Sequence, residues 1–387
     1  MISKFKIESF KSIESAELEL GRVNVFIGAN GSGKSNLLEA LGLLAAAAFG
    51  RVDTESLVRR GCRPAGYYRP LFRESPSEGE TAASAMGAHV TYGVGLQSPP
   101  PDRPTEWEFR HELWTLGEQV IVDRGAANGV ARGDVQAGLA ALKLAELPVE
   151  GEASIFLKTL AGYSIYTPDT AVLRGWMQDP QLRVPVGLSG GRLADAVAEL
   201  LKDQRTSETL KAHFRAGVEW FEDFGIVTFN AGAGQHRQVA FVDRFFRKDG
   251  GHVYLLGPNE VNEGALYLQF LAVLCLHPSA PELFALDNAD HGLNPVLAKN
   301  VMSSMCHWLL EGRQKRQVLI TTQNPLALDG LPLADDRVRL FTVDRDNRGT
   351  TRVRRFVITG QHRDMAAKGW TLSRLWVNGL IGGVPNV

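Results

Sequence analysis

VNVFIGANGSGKSNLLEALGLL, residues 23–44, decides the fold. The run VNVFI reads as a short buried strand. GANGSGKS (28–35) matches the pattern GxxxxGK[ST], and LLEALGLL (37–44) resumes with helical, mostly apolar character. Strand, glycine loop and helix in that order make a phosphate-binding turn: the glycines let backbone amides converge on phosphate oxygens, and the helix amino end adds partial positive charge. Lys34 is placed to reach the β and γ phosphates and the Ser35 hydroxyl to ligate magnesium. Gly28, Asn30, Gly31, Ser32, Gly33 and Asn36 complete the expected ATP-binding set.

A second stretch, FALDNADHGLNP (284–295), completes that site. The apolar run from Leu283 to Leu286 leads into Asp287, as a buried strand leads into a carboxylate on the magnesium side, usually acting through water. ATP and Mg2+ are therefore the expected cofactors, with Ser35 and Asp287 on the metal.

Bulk properties narrow the class. A chain of 387 residues, 44% hydrophobic and 22% charged, is an ordinary globular composition with room for one or two domains. Lys plus Arg number 42 against 43 Asp plus Glu, and the net charge of -1 gives no global pull toward nucleic acid or anionic membrane. Any DNA contact must come from a local patch. Cys62, Cys275 and Cys306 are odd in number and lack CxxC spacing, which argues for a reducing compartment and against a disulfide frame or zinc site. MISKFKIESF lacks an apolar signal core, and no uncharged apolar run reaches the roughly 18 residues that span a bilayer. The expectation is a cytoplasmic protein without membrane contact.

Along the chain, residues 2–8, 15–20 and 22–27 read as strands, and 75–135 as an antiparallel sheet from segments such as HVTYGVGL (89–96) and WEFRHELW (107–114), split by three prolines after Ser98. Residues 135–221 are helical in texture. Strands return at 225–229, 239–243 and 252–256, the last two joined by a KDGG turn (248–251). After 263 come helix, buried strand, helix, buried strand and a hairpin around DNRG (346–349). This predicts an α/β P-loop NTPase in which an antiparallel sheet and helices over 76–224 stand between the end segments 1–75 and 225–387.

FKIESFKSI (5–13), IGANGSGKSNLLEAL (27–41), EGALYLQF (263–270), LDNADHGLNP (286–295) and ITTQNPLALD (320–329) fall in the order seen in the SMC, RecF and OLD-like branch of ABC ATPases. The chain resembles that branch at its two ends, roughly 1–75 and 225–360. Within the branch it is most similar to AAA family ATPases of antiphage defence, such as the ATPase subunit of Septu systems, on LDNADHGLNP and TTQNPLALDGL. The resemblance implies an ABC/SMC-type head, built from 1–75 and 225–387, in which a mixed and a parallel sheet sandwich helices, with 76–224 as an inserted antiparallel sheet plus helical lid or arm. It further implies two heads closing on two ATP molecules, hence a homodimer or higher oligomer, and a partner effector such as a nuclease. Lys6 and Lys11 would lie near the nucleotide, or else be solvated strand-edge lysines.

In that branch a signature opens the helix leading into the acidic strand and caps the γ phosphate bound by the opposite subunit. LSGG (188–191) spells the signature but precedes Asp287 by 99 positions, and reads better as a loop and N-cap before a helix at 193–202. VNEGAL (261–266) starts 26 positions before Asp287, with Asn262 in the serine role and Gly264 allowing close backbone approach.

Two departures concern turnover. Hydrolytic members place a glutamate after the strand aspartate, to orient and deprotonate water; here Asn288 follows, and its amide cannot accept a proton at neutral pH. The switch histidine after the next strand falls at Gln323. The expected result is an ATP-latched clamp, with turnover slowed ~10²-fold or more, unless Asp290 or His291 substitutes as the base.

Other features divide between roles. Arg59, Arg60, Arg63, Arg69 and Arg73 lie among Tyr67, Tyr68 and Phe72, a mix that grips nucleic-acid backbone or simply packs and solvates. RVRRF (352–356) is equally open. WTLSRLWVNGLIGG (370–383) reads as an amphipathic helix that covers the core or docks a partner. Asp344 and Asp346 have the spacing of an acidic pair but run into the hairpin turn, and no HNH or HExxH pattern occurs, so an effector activity belongs to a partner. The rival readings are a DNA-repair ATPase of RecF or SMC type and a non-enzymatic ATP-bound scaffold that sequesters a toxin.

Overall fold

The structure, a computed structural model, describes residues 1–63, 80–97, 107–125, 134–231, 234–247, 253–312 and 314–383. Strands β1 (Lys4–Phe10) and β2 (Ile13–Glu19) form a hairpin that turns through Lys11 and Ser12, with Lys11 at φ 50. Then come β3 (Val23–Ile27), α1 (Lys34–Phe49) and α2 (Thr54–Val58). Strands β4 (Glu80–Met86), β5 (Val90–Gln97), β6 (Glu108–Leu116) and β7 (Gln119–Arg124) follow. They join the first hairpin in one antiparallel sheet of order β2-β1-β4-β5-β6-β7, with Phe5 opposite Ala85.

Helices α3 (Leu139–Lys143) and α4 (Glu152–Ala161) lead to a two-residue strand, β8 (Ile165–Tyr166), and then to α5 (Thr170–Leu173), α6 (Leu193–Leu200) and α7 (Gln204–Gly217). A separate three-stranded sheet holds β9 (Phe221–Ala231), β10 (Gly234–Arg247) and β11 (Val253–Leu256). The remainder is α8 (Glu263–Leu276), β12 (Leu283–Leu286), α9 (Pro295–Glu311), β13 (Gln317–Thr322), β14 (Val338–Arg345), β15 (Thr351–Phe356), α10 (Gly360–Ala367) and α11 (Leu372–Val377). The central sheet runs β15-β14-β3-β13-β12-β8, parallel except for β15.

Both faces of this central sheet are covered, which is why its strands read as continuous apolar runs. Alternate residues of β3 serve opposite layers: Val23, Val25 and Ile27 pack with α8 and α9, while Phe26 packs with α1 and the antiparallel sheet. Helix α1 is apolar on nearly every side, from Leu37 to Ala48, and such a helix belongs between layers.

Strand pairing crosses the boundary expected at residue 76. The sheet of 80–124 is continuous with β1, and β8 pairs with β12, so residue 76 is not a sheet boundary. The three prolines after Ser98 and the KDGG turn lie outside the described residues. The tryptophan-bearing tail covers the core: Leu375 and Trp376 are buried, and Ser373 donates through N and Oγ to the Asp329 carboxylate at 2.9 and 2.6 Å.

One acid interrupts the apolar surface of α1. Glu39, buried, forms an ion pair with buried Lys11 of the β1–β2 turn and accepts from Arg63 Nε at 2.6 Å. Burial alone would raise the Glu39 carboxyl, but Arg63 and Lys11 outweigh it and hold it below the usual carboxylate range. Glu39→Ala removes the carboxylate both cations share and is expected to cost roughly 3–5 kcal/mol in urea unfolding. Because the folded-state pKa is depressed, the wild-type contribution is fully present above the unfolded value of about 4.5 and is lost as pH falls through the lower one. The stability gap between wild type and variant should therefore narrow in acid.

Candidate nucleotide-binding site

Strand β3 hands over at Gly28 to a loop that ends in Gly33, the N-cap of α1 at φ 106, with no side-chain cap on the helix amides. Gly31 at φ 75 and Asn30 are exposed at the tip. The loop is tightly enclosed: a methyl on Gly28 would strike the Val343 carbonyl, and one on Gly33 the Thr351 side chain. Lys34, buried, donates from Nζ to the carbonyls of Gly28 and Ala29 at 2.8 Å each, which places its ammonium inside the curl. Burial lowers its pKa, against the opposing charges of Asp287 and Asp290.

A directed chain of hydrogen bonds braces the loop from behind. Asn36 Nδ2 donates to Ser12 Oγ at 2.7 Å, and Thr351 Oγ1 donates to the Ser32 carbonyl at 2.9 Å. The 2.7 Å contact between Ser12 Oγ and Thr351 Oγ1 must then run from serine to threonine, since each hydroxyl has one proton. Asn36 also accepts from Arg63 Nη2 at 3.0 Å. It is a brace joining α1 to the β1–β2 turn, where the sequence suggested a ligand-facing residue.

Asp287 stands at the end of β12. Its Oδ1 accepts from Ser35 Oγ at 3.1 Å and from Thr321 Oγ1 at 2.5 Å, and its amide donates to Tyr166 O at 3.0 Å. Thr321 Oγ1 in turn accepts from Asn288 N at 2.8 Å. Sequence reading missed Thr321; the one available signal is a hydroxyl pair, Thr321 and Thr322, directly after the apolar run Val318–Ile320 of a buried strand. Paired hydroxyl and carboxylate oxygens suit a hard cation such as Mg2+, and the amide-rich loop with its buried ammonium suits phosphate.

The two altered positions touch. Asn288, at φ 52, accepts on Oδ1 from Gln323 Nε2 at 3.1 Å. Asp290 Oδ2 accepts from Asn324 N at 3.0 Å. His291 faces elsewhere: Tyr267 OH donates to Pro168 O at 2.8 Å, so the 3.1 Å contact between that hydroxyl and His291 Nδ1 is donated by the imidazole.

The signature candidates are occupied within the chain. Asn262 Oδ1 caps its own helix through Ala265 N at 2.9 Å, and a methyl on Gly264 would strike Leu297 of α9. Both border a cavity of about 670 Å³ with Gly217, Trp220 and Gly292, which the phosphate loop does not line. In LSGG, the amides of Ser189, Gly190 and Gly191 all donate to Asp179 Oδ2, at 3.0, 3.1 and 2.9 Å.

The basic cluster is engaged internally where it is described. Arg60, buried, donates to the carbonyls of Ser56 and Ala161 at 2.6 and 3.0 Å, closing the carboxyl ends of α2 and α4. Arg59 pairs with Glu55, Arg63 with Glu39, and Lys6 with Glu8. Arg69, Arg73, Tyr67, Tyr68 and Phe72 lie outside the described residues. In the last hairpin Arg352 meets Asp346 at 2.9 Å and Glu14 at 3.3 Å. Asp346 accepts from Thr350 Oγ1 and N at 2.6 and 2.9 Å, which hold its acid far below the usual range as a turn residue. Among the described residues no group of three or more His, Cys, Asp or Glu is placed to hold a metal ion, and no helix is long and apolar enough to cross a membrane.

Thr321→Val keeps the strand but removes the hydroxyl that orients Asp287. Nucleotide titration with a fluorescent analogue should show affinity in magnesium reduced about tenfold, ~1.4 kcal/mol; affinity in EDTA should stay unchanged.

Parts of the chain are similar to known proteins. Residues 1–60 match the AAA ATPase domain model. The chain is 36% identical over 92 residues to the DNA replication and repair protein RecF of Magnetococcus marinus, covering 24% of this chain and 22% of that protein. It is 44% identical over 66 residues to RecF of Renibacterium salmoninarum, covering 16% and 17%. The matched stretch thus spans about a fifth of these relatives' own lengths. Among solved structures, an SmcHead bound to the C-winged helix domain of ScpA aligns with TM-score 0.49 and 14% identity over 92% of this chain and 98% of that one. The SMC head domain from Thermotoga maritima aligns with TM-score 0.44 and 16% identity over 92% and 99%. The phosphate loop enters a central helix and the acidic strand lies two places away in a parallel sheet, and the chain is similar to the AAA ATPase domain over residues 1–60 and to RecF proteins over about a quarter of its length or less.

Proposed function

We propose that this chain is an ATP-binding head that dimerises around nucleotide, hydrolyses it slowly, and by closing and opening controls a partner effector, such as a nuclease, in antiphage defence. The observation that carries the slow-turnover reading is the Asn288–Gln323 amide pair, 3.1 Å apart at the strand ends where an acid and an imidazole would serve a fast ATPase. Neither amide takes up a proton, and the Asn288 oxygen is already engaged by Gln323 Nε2. Lys34 and the loop amides would hold the β and γ phosphates, and Ser35 with Asp287 would hold Mg2+, which when bound neutralises charge on the phosphate oxygens. Asn262 and Gly264 would complete the site of the opposite head from the rim of their cavity. The defence role and the effector rest on the family resemblance of LDNADHGLNP and TTQNPLALDGL. A DNA-repair ATPase is the second reading, favoured by the RecF matches.

The test is ATP turnover beside size-exclusion in Mg-ATP for wild type, Lys34→Ala and Asn288→Glu. Wild type should bind ATP, assemble and turn over slowly. Asn288→Glu should hydrolyse ~10²-fold faster and assemble less durably, and Lys34→Ala should do neither. Brisk wild-type hydrolysis that Asn288→Glu does not improve would refute the latch and favour the repair reading.

A further inference from the structure

We propose that Asp290 is the proton acceptor for the turnover this chain retains, an inference that rests on the reading that a nucleoside triphosphate occupies the phosphate loop. The other polar groups at the ends of β12 and β13 are already committed. Asn288 offers an amide whose oxygen already accepts from Gln323. His291 spends its Nδ1 proton on Tyr267. Asp287 Oδ1 gathers the hydroxyls of Ser35 and Thr321, which marks it for the cation.

Asp290 is different. The left-handed turn at Asn288, closed by His291 N donating to Asn288 O at 3.0 Å, brings the chain back over the strand ends. Asn324 N, one residue past Gln323, then fixes Asp290 Oδ2 at 3.0 Å. Asp290 Oδ1 is buried without a hydrogen-bond partner. A buried carboxylate oxygen in that condition is costly, and a donor reaching it, such as a water molecule, relieves the cost. Its charge, like that of Asp287, opposes the burial that lowers the Lys34 pKa.

The step balances without a further reactant. A water oxygen bonds to the γ phosphorus as the bond from that phosphorus to the β–γ bridging oxygen breaks, its electron pair leaving with the diphosphate. The water's proton passes to Asp290 Oδ1 and from there to solvent.

The experiment compares wild type, Asp290→Asn, Asp290→Glu, the Asp290→Asn/Asn288→Glu double variant and Lys34→Ala in the full chain. Three quantities are read: single-turnover ATP hydrolysis, affinity for a fluorescent ATP analogue in magnesium, and melting temperature. Asparagine at 290 still offers an oxygen to Asn324 N, so affinity should stay within about twofold and melting should be unchanged, while hydrolysis falls ~10²-fold. Asp290→Glu should keep part of the rate, and the double variant should recover it. Hydrolysis by Asp290→Asn equal to wild type, with nucleotide bound, overturns the proposal. So does a tenfold loss of affinity, which would make Asp290 a binding or structural group. Failure of wild type to bind nucleotide more tightly than Lys34→Ala would instead remove the underlying functional reading, and this inference with it.

Discussion

The phosphate loop stands where α1 holds it, and α1 is gripped from both sides. Leu37, Leu38, Leu41, Leu43 and Leu44 are all fully buried between the antiparallel and central sheets, each worth about 1.5–3 kcal/mol of burial. Gly42 permits contact so close that a methyl there would strike the Cys62 sulfur. A helix packed on all faces cannot rotate to relieve strain at its start. Gly33, Lys34 and Ser35 therefore present their polar groups in one direction, set by packing far from them. The Lys11–Glu39 pair adds a registration mark that ties the β1–β2 turn to the same helix.

Strand register does the rest. Leu286 lies beside Ile320 in the parallel ladder, which brings the next residues, Asp287 and Thr321, together at the sheet's carboxyl edge. Thr322 lies beside Ile27, so Gln323 emerges next to Gly28 at the root of the loop. A slip of one residue in either pairing would turn these side chains to opposite faces. The site is thus an edge property of three parallel strands, and the loop amides, the acid and the amide pair meet because of pairings that none of their local sequences encodes.

That division explains what was legible beforehand. The phosphate loop, Asp287 and the buried strands are local patterns of glycine spacing and apolar runs, and they could be read directly. Membership of 80–124 in the first sheet depends on pairing Phe5 with Ala85, across a separation that leaves no periodic trace. Strand β8 is two residues long, too short for any period, and exists because Ile165 and Tyr166 pair with Ala285 and Leu286. Thr321 could not be singled out without register. Composition alone cannot separate an arginine that grips phosphate from one such as Arg60, whose guanidinium is spent on helix carbonyls. LSGG shows the same limit: its amides converge as an anion would require, but on the chain's own Asp179.

The backbone at Asn288 makes the amide more than a chemical substitution. At φ 52 it lies in the left-handed region, where asparagine is several-fold enriched and a longer side chain such as glutamate is disfavoured by roughly 1 kcal/mol. The turn that precedes residue 290 is made at a residue whose amide accepts no proton at neutral pH. Any path back to an acid at this position climbs a conformational step before it gains chemistry. The geometry of the turn thus helps to preserve the asparagine that forms it.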